Sequence, residues 1–266
     1  MKKIKSLIFD MDGVLWRDQT PIGDLGEIFR LLQFHKIKYA FATNNSTKSP
    51  SDYQDTLRRF GISSKEDQVI TSATTLAKML KEKFPNGGPV HIIGENGLRE
   101  ALQKNGFHHR DQDVFAVVGG LDRQINYEKL KLATLLLRQE VDFYYTNADT
   151  TFPTPEGIIP GAGSILRALE VGSGRNAILA GKPKPKMFEI AMKIINASAE
   201  STLVIGDRLD TDILGGLEAK CITALVLTGI STSEDLINLA YKPHFVFENL
   251  SDLVDYFNMN NWEILQ

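Results

Sequence analysis

Along this chain, short runs of apolar residues alternate with longer segments whose apolar positions recur every three or four residues. The first run, "KSLIF" (Lys5–Phe9), is apolar without alternation, as in a strand covered on both faces. Leu25, Ile28, Phe29 and Leu32 then follow the i, i+3, i+4, i+7 spacing of one helix face. "KYAFAT" (Lys38–Thr43) predicts the next strand, and Ser49-Pro50 predicts a capped helix start with its stop at Gly61. Near the other end, "TLVIGD" (Thr202–Asp207) and "TALVLTG" (Thr223–Gly229) are again near-continuous apolar runs around a helical stretch. Such strands, joined by crossover helices, form a parallel sheet, so the class is α/β.

Two breaks interrupt the pattern, "PNGGP" (Pro85–Pro89) and "VGSGRNA" (Val171–Ala177). Between them, "VHIIG", "VFAVVGG" and "VDFYYTN" read as strands with helices between, which is enough for a small α/β domain of its own. The expected organisation is therefore a core of residues 1–84 and 178–266 with a domain inserted at 85–177. A chain of 266 residues is long enough for both.

Composition removes several function classes. The net charge is −3, so no broad basic surface invites nucleic acid, and no acidic tail is present. The only cysteine, Cys221, excludes a disulfide framework within one chain; it precedes an apolar strand without an adjacent basic partner, as a small buried residue would. The apolar run before Asp10 is too short for a signal peptide, and no run approaches the roughly 20 residues of a membrane span. The expectation is a soluble, cytoplasmic protein without a membrane or nucleic-acid partner.

Ligands of open parallel sheets bind at the carboxyl ends of strands. Four polar clusters fall at such ends or at a strand-to-helix turn: Asp10 and Asp12; Thr43-Asn44-Asn45; Gly181-Lys182-Pro183; and Gly206-Asp207 with Asp210 and Asp212. Each alone is an ordinary turn, loop or helix start; in this order they describe phosphoryl transfer. Asp10 is placed to attack phosphorus and form an aspartyl phosphate, which splits one difficult hydrolysis into two steps. A carboxylate approaching a phosphate anion needs charge neutralised, which Mg²⁺ on carboxylate oxygens supplies, with Asp207 completing the metal site and Mn²⁺ an acceptable substitute. Thr43 and nearby amides suit the phosphoryl oxygens, and Lys182 offers a compact positive charge. Asp12, two positions after the nucleophile, projects to the same side on an extended backbone and serves as acid and then base. Gly13 lets the chain turn away tightly.

The stretches "DMDGVLW", "TNNS", "GKPKPKMF" and "GDRLDTDILGG" resemble the four motifs of the haloacid dehalogenase-like phosphatases. The closer likeness is to the subfamily of nitrophenyl, pyridoxal-phosphate and phosphoglycolate phosphatases. The resemblance implies a Rossmann-like, doubly wound core with an inserted α/β cap, and Mg²⁺-dependent hydrolysis of small phosphorylated metabolites. It implies Asp10 as nucleophile and metal ligand, Asp12 as acid/base touching the metal through its carbonyl, and Asp207 as a further metal ligand. Thr43, Asn44 and Asn45 would bind the phosphoryl group and substrate, Lys182 would hold the phosphoryl charge, and Asp212 would orient Lys182 or a metal-bound water. Asp210 has no counterpart and reads as a helix cap. The retained Asp12 argues for phosphoryl transfer over dehalogenation. A mutase or phosphotransferase using the same aspartyl phosphate, or a phospho-acceptor switch without turnover, are the alternative readings.

Substrate choice falls to the cap, where "TNADTTFPTPEG" (Thr146–Gly157) is the expected specificity loop. The histidine that pyridoxal-phosphate phosphatases carry in this region aligns with Phe152, which argues against that substrate and suits an apolar or planar leaving group. Cap surfaces of this kind can pair two copies, so a homodimer through the cap is an accompanying expectation. His108 and His109 read as a solvated loop, and Trp16 as either a wall of the site or a packing residue.

Overall fold

The structure, a computed structural model, describes residues 3–154, 156–237 and 239–264; Pro155 of the expected specificity loop lies outside them. The chain divides into two compact units, one formed by Met1–Thr43, Ser51–Ile70 and Lys182–Gln266, the other by Asn44–Pro50 and Thr71–Gly181.

The first unit holds a six-stranded sheet in the order Phe245–Phe247, Ile222–Val226, Thr202–Gly206, Ser6–Phe9, Lys38–Thr43, Val69–Thr71. Ser6–Phe9, Thr202–Gly206 and Ile222–Val226 are buried throughout, as expected for runs without alternation. Their pairings, and those of Ser6–Phe9 with Lys38–Thr43 and Ile222–Val226 with Phe245–Phe247, are parallel. The helix Leu25–Phe34 buries Leu25, Ile28, Phe29 and Leu32, the four positions picked out by spacing, and Asp24 caps it by accepting from the Glu27 amide. Phe29 meets Tyr39 edge-on at 4.9 Å between centroids and Phe9 at 5.2 Å, locking that helix to the sheet. At Gly61, two residues past the helix Pro50–Arg59, φ is +78°, the left-handed geometry that a stop needs. Cys221 is buried among apolar neighbours, and burial pushes its thiol up to about 12, which keeps it from acting as a nucleophile.

Strand order fixes where ligands belong. From Ser6–Phe9 the chain winds outward to one edge and later returns to build the other from Thr202–Gly206. The winding reverses between those two strands, and their carboxyl ends open the crevice. Phe9 pairs with Ile205, so Asp10 and Asp207 leave adjacent strands on the same rim; the Asp10 amide still donates to the Ile205 carbonyl at 2.8 Å.

The second unit is a five-stranded parallel sheet in the order Ile178–Leu179, Asp142–Tyr145, Ala116–Gly119, Gly88–Ile93, Phe107–His109. The helices Ser72–Lys83 and Asn96–Lys104 join one apolar cluster through Leu76, Leu80, Leu98 and Leu102; Tyr127–Leu137 and Ala162–Ser173 join another through Leu137 and Leu166. An antiparallel ribbon pairs Thr151–Thr154 with Gly157–Pro160. Among the described residues, no helix is long and apolar enough to cross a membrane.

His108 and His109 depart from the loop expectation, because Phe107 is buried and its strand pairs with Gly88–Val90. His109 Nδ1 accepts the Ile92 amide at 3.0 Å, which leaves its proton on Nε2, 3.2 Å from Asp111 Oδ1. His91 Nδ1 lies 3.1 Å from the Arg110 carbonyl and 3.3 Å from the same Asp111 oxygen. The three residues are close enough to hold a cation. Yet His109 already uses one nitrogen as acceptor and the other as donor, so the trio is satisfied as a hydrogen-bond network.

Candidate active site

In the first unit, the rim above the winding reversal collects buried charge. Lys182 is 4 % exposed, and its ammonium spends all three donors there. They reach Asp10 Oδ1 at 2.5 Å, Asp212 Oδ1 at 2.6 Å and the Ala42 carbonyl at 2.9 Å. Burial alone would lower the pKa of Lys182, but Asp10 and Asp212 outweigh it, and the lysine stays firmly charged. Asp212 also accepts the Arg208 amide through its other oxygen at 3.1 Å, so both ends of that carboxylate are fixed.

Asp207 sits against backbone. Its Oδ2 accepts the Ile230 amide at 2.8 Å. A Cβ built on Gly229 would stand 1.9 Å from that oxygen and one on Gly13 2.6 Å, so any side chain at either position would evict the carboxylate. Gly13 has φ +83° besides, and the turn after Asp12 needs it. Burial, reinforced by the charge of Asp212, pushes Asp207 up to about 7 against the opposing pull of the Ile230 amide and Lys182. Asp10 is likewise raised well above the carboxylate range by burial; Lys182 pulls it down, and Asp212 and Asp207 push it up.

Oxygens of Asp10, Asp207 and Asp212 all lie within 4.8 Å of one another. Three carboxylates against one ammonium leave two negative charges uncompensated when all are ionised, and the donors are oxygen only. That chemistry fits a hard divalent cation. The expected metal set named Asp10, Asp207 and, through its backbone carbonyl, Asp12; the carboxylate cluster brings Asp212 beside the first two. Asp12 turns its carboxylate to the Trp16 indole, whose Nε1 donates to Oδ1 at 2.9 Å. Trp16, read from sequence as wall or packing, is therefore also a hydrogen-bond donor. Asp210 is not the cap expected: it lies inside the helical turn Leu209–Ile213, and Arg208 grips its carboxylate at 2.8 and 3.1 Å.

Thr43 is buried at the end of Lys38–Thr43. Beside it lies Tyr53, which the sequence reading did not single out. Burial raises its hydroxyl well above the ordinary tyrosine range, with the charge of Asp12 as the next cause. Its one sequence signal was the i, i+4 pair with Leu57, the two buried residues of Pro50–Arg59.

Asn44, Asn45 and Phe152 belong to the second unit. Asn44 Nδ2 donates to both Asp149 oxygens at 3.1 and 3.3 Å, and its carbonyl accepts from Ser72 Oγ and Asn147 Nδ2. Asn45 Oδ1 accepts from the Thr47 amide and hydroxyl, a side-chain turn that shapes the loop. Phe152, half-buried, stands in the antiparallel ribbon opposite Ile159.

Two family profiles match this chain, haloacid dehalogenase-like hydrolase over residues 7–108 and a second HAD-hydrolase-like profile over 179–253. It is 33% identical over 256 residues to the 5'-nucleotidase YutF of Bacillus subtilis, covering 96% of this chain and 100% of that one. It is 34% identical to an acid sugar phosphatase of Staphylococcus aureus, covering 96% and 98%. The solved 4-nitrophenylphosphatase of Thermotoga maritima superposes with a TM-score of 0.90 at 34% identity, covering 95% of this chain and 97% of that one. A third of the residues retained across nearly the full length of each chain, on the same fold, places this protein in the family of haloacid dehalogenase-like hydrolases, in the branch of the nitrophenyl phosphatases.

Proposed function

We propose that this protein hydrolyses phosphate monoesters of small metabolites in two steps, through an aspartyl phosphate on Asp10, with Mg²⁺ or Mn²⁺ bound. The observation that carries the reading is the buried cluster of Asp10, Asp207 and Asp212 around the Lys182 ammonium at the winding reversal. Asp10, Asp207 and the Asp12 carbonyl would hold the cation, which when bound neutralises charge between nucleophile and phosphate.

In the first step an Asp10 oxygen bonds to phosphorus while the bond to the leaving oxygen breaks and Asp12 delivers a proton to that oxygen. In the second, Asp12 takes a proton from water, the water oxygen bonds to phosphorus, and the Asp10–phosphorus bond breaks. Thr43 donates to a phosphoryl oxygen throughout. Lys182, held by Asp212, stabilises the charge that spreads over the phosphoryl group. Asn44, Asn45 and Phe152 are proposed substrate contacts, and the second unit is proposed to select the organic part. Relatives named for nucleotides and sugar phosphates support a substrate from those classes.

The test is phosphate release from p-nitrophenyl phosphate, with Mg²⁺ and with chelator. Release that survives complete chelation would remove the cation from the reading. No release from any of a panel of nucleotide, sugar and aryl monoesters would remove the hydrolase.

The cation also has a pH signature. Asp207 holds its proton up to about 7 in the folded chain against an ordinary value of 3.8. The folded state thus binds more protons than the unfolded one between those values, and metal-free stability falls as pH rises through that window. A cation must displace the same proton, so its binding tightens as pH rises through about 7. Thermal melts with and without Mg²⁺ should show a larger Mg²⁺-induced rise in Tm at pH 8 than at pH 6. An equal rise at both would mean that Asp207 does not meet the ion.

A further inference from the structure

The strand Asp142–Tyr145 runs on into Thr146, whose amide donates to the Gly119 carbonyl at 2.8 Å and whose carbonyl accepts from the Gly181 amide at 2.7 Å. Asn147 therefore leaves the sheet from a fixed base, and it is 5 % exposed. Its Nδ2 donates to the Asn44 carbonyl at 2.8 Å, with Thr146 Oγ1 at 3.4 Å, and its Oδ1 accepts from the Asp149 amide at 3.1 Å. An oxygen facing an N–H and a nitrogen facing a carbonyl leave the carboxamide one orientation. Asn44 in turn donates to the Asp149 carboxylate, which closes a ring: Asn147 donates to Asn44, Asn44 to Asp149, and Asp149 back to Asn147. Links that follow one another in a single direction polarise each other. The ring is clamped from outside as well. Ser72, fully buried, donates through its hydroxyl to the same Asn44 carbonyl at 2.6 Å, and the Gly163 amide donates to the Asp149 carbonyl at 2.8 Å.

We propose that Asn147 is a positioning residue for substrate binding: its carboxamide ties the Asn44–Asn45 loop to the specificity loop at Asp149, so that the two present one preformed surface. The inference rests on the reading of Asn44 and Asn45 as substrate contacts. A carbonyl held by two buried donors cannot turn, and in a planar trans peptide the Asn45 N–H then points to the opposite side. Asn147 and Ser72 thus set the attitude of the peptide that joins the two contact residues. The groups proposed for the chemical step, Asp10, Asp12 and Lys182, belong to the other compact unit. Opening the ring therefore costs preorganisation for binding, which appears in KM rather than in kcat.

The experiment measures kcat and KM of wild type, Asn147→Ala, Asn44→Ala and Ser164→Ala on p-nitrophenyl phosphate with Mg²⁺. The expected result for Asn147→Ala is a KM raised about tenfold, the equivalent of one or two lost hydrogen bonds, with kcat within about threefold of wild type. A residue that only supported the fold would act the other way, lowering the active fraction, and so the apparent kcat, at unchanged KM. Ser164→Ala removes a different bond to the same loop, from Ser164 Oγ to the Thr150 carbonyl at 2.9 Å, and should leave KM where it is. If Asn147→Ala does not fold, Asn147→Ser, with one polar atom in place of two, carries the same comparison. An unchanged KM in the Asn147 variant beside a raised one in Asn44→Ala overturns the proposal, as does an equal rise from Ser164→Ala. An unchanged KM in Asn44→Ala strikes the contact reading on which the proposal rests, and a wild type that releases no phosphate strikes the hydrolase.

Discussion

Asp10→Asn should abolish phosphate release while leaving the protein folded and at least as stable as wild type. The expected loss is on the order of 10⁴-fold or more, the scale seen when a covalent nucleophile is removed. An amide nitrogen cannot attack phosphorus, but the substituted side chain would keep an oxygen to accept from Lys182, so the hydrogen bond now made at 2.5 Å can survive. Stability should hold or rise without metal, because one of three crowded carboxylates loses its charge and burial no longer opposes it. Phosphate release and thermal melting on the same preparation check both halves. Residual turnover within a hundredfold of wild type, in a folded variant, would rule out the covalent route.

Lys182→Met is the second large effect, and it should strike rate and stability together. The side chain is buried and paired to two carboxylates, so its removal leaves Asp10 and Asp212 facing each other without a cation. Breaking a buried pair in this way costs roughly 3–5 kcal/mol. The rate should fall about a hundredfold or more, as when one preorganised donor to a transition-state anion is lost. Adding Asp212→Asn to Lys182→Met separates the two. Stability should largely return, since the repulsion is relieved, but the rate should not. Urea denaturation and kcat on the single and double variants make the comparison. A single variant within about threefold of wild-type rate would mean that Lys182 does not stabilise the transferring phosphoryl group, since one such donor is worth far more.

Much of the fold is legible in the chain itself. Parallel strands buried on both faces leave unbroken apolar runs, and a polar cluster at the end of such a run stands out; Asp10, Thr43 and Asp207 were visible for that reason. Leu25, Ile28, Phe29 and Leu32 were visible because a helix repeats every 3.6 residues. What was not legible depended on contacts that no local pattern encodes. The Trp16–Asp12 hydrogen bond needs a turn closed between Met11 and Trp16, and i, i+4 spacing outside a helix carries no such message. Asp210 looked like a cap because acidic residues gather at helix starts, but Arg208, two residues away, claimed its carboxylate. His91 and His109 meet only because Gly88–Ile93 pairs with Phe107–His109, a register that neither segment announces alone. Ser72–Lys83 joins the second compact unit through Leu76 and Leu80, and no shift in composition marks that allegiance.

The bond between Lys182 and Asp10 joins residues 172 positions apart. During synthesis, Asp10 leaves the ribosome early, yet its counter-charge follows only after the whole second unit has been made, and Asp207 and Asp212 come later still. A nascent or prematurely terminated chain thus carries Asp10 with neither the Lys182 ammonium nor the other two carboxylates beside it. The buried cluster therefore cannot form until the strand Thr202–Gly206 has been made and paired with Ser6–Phe9.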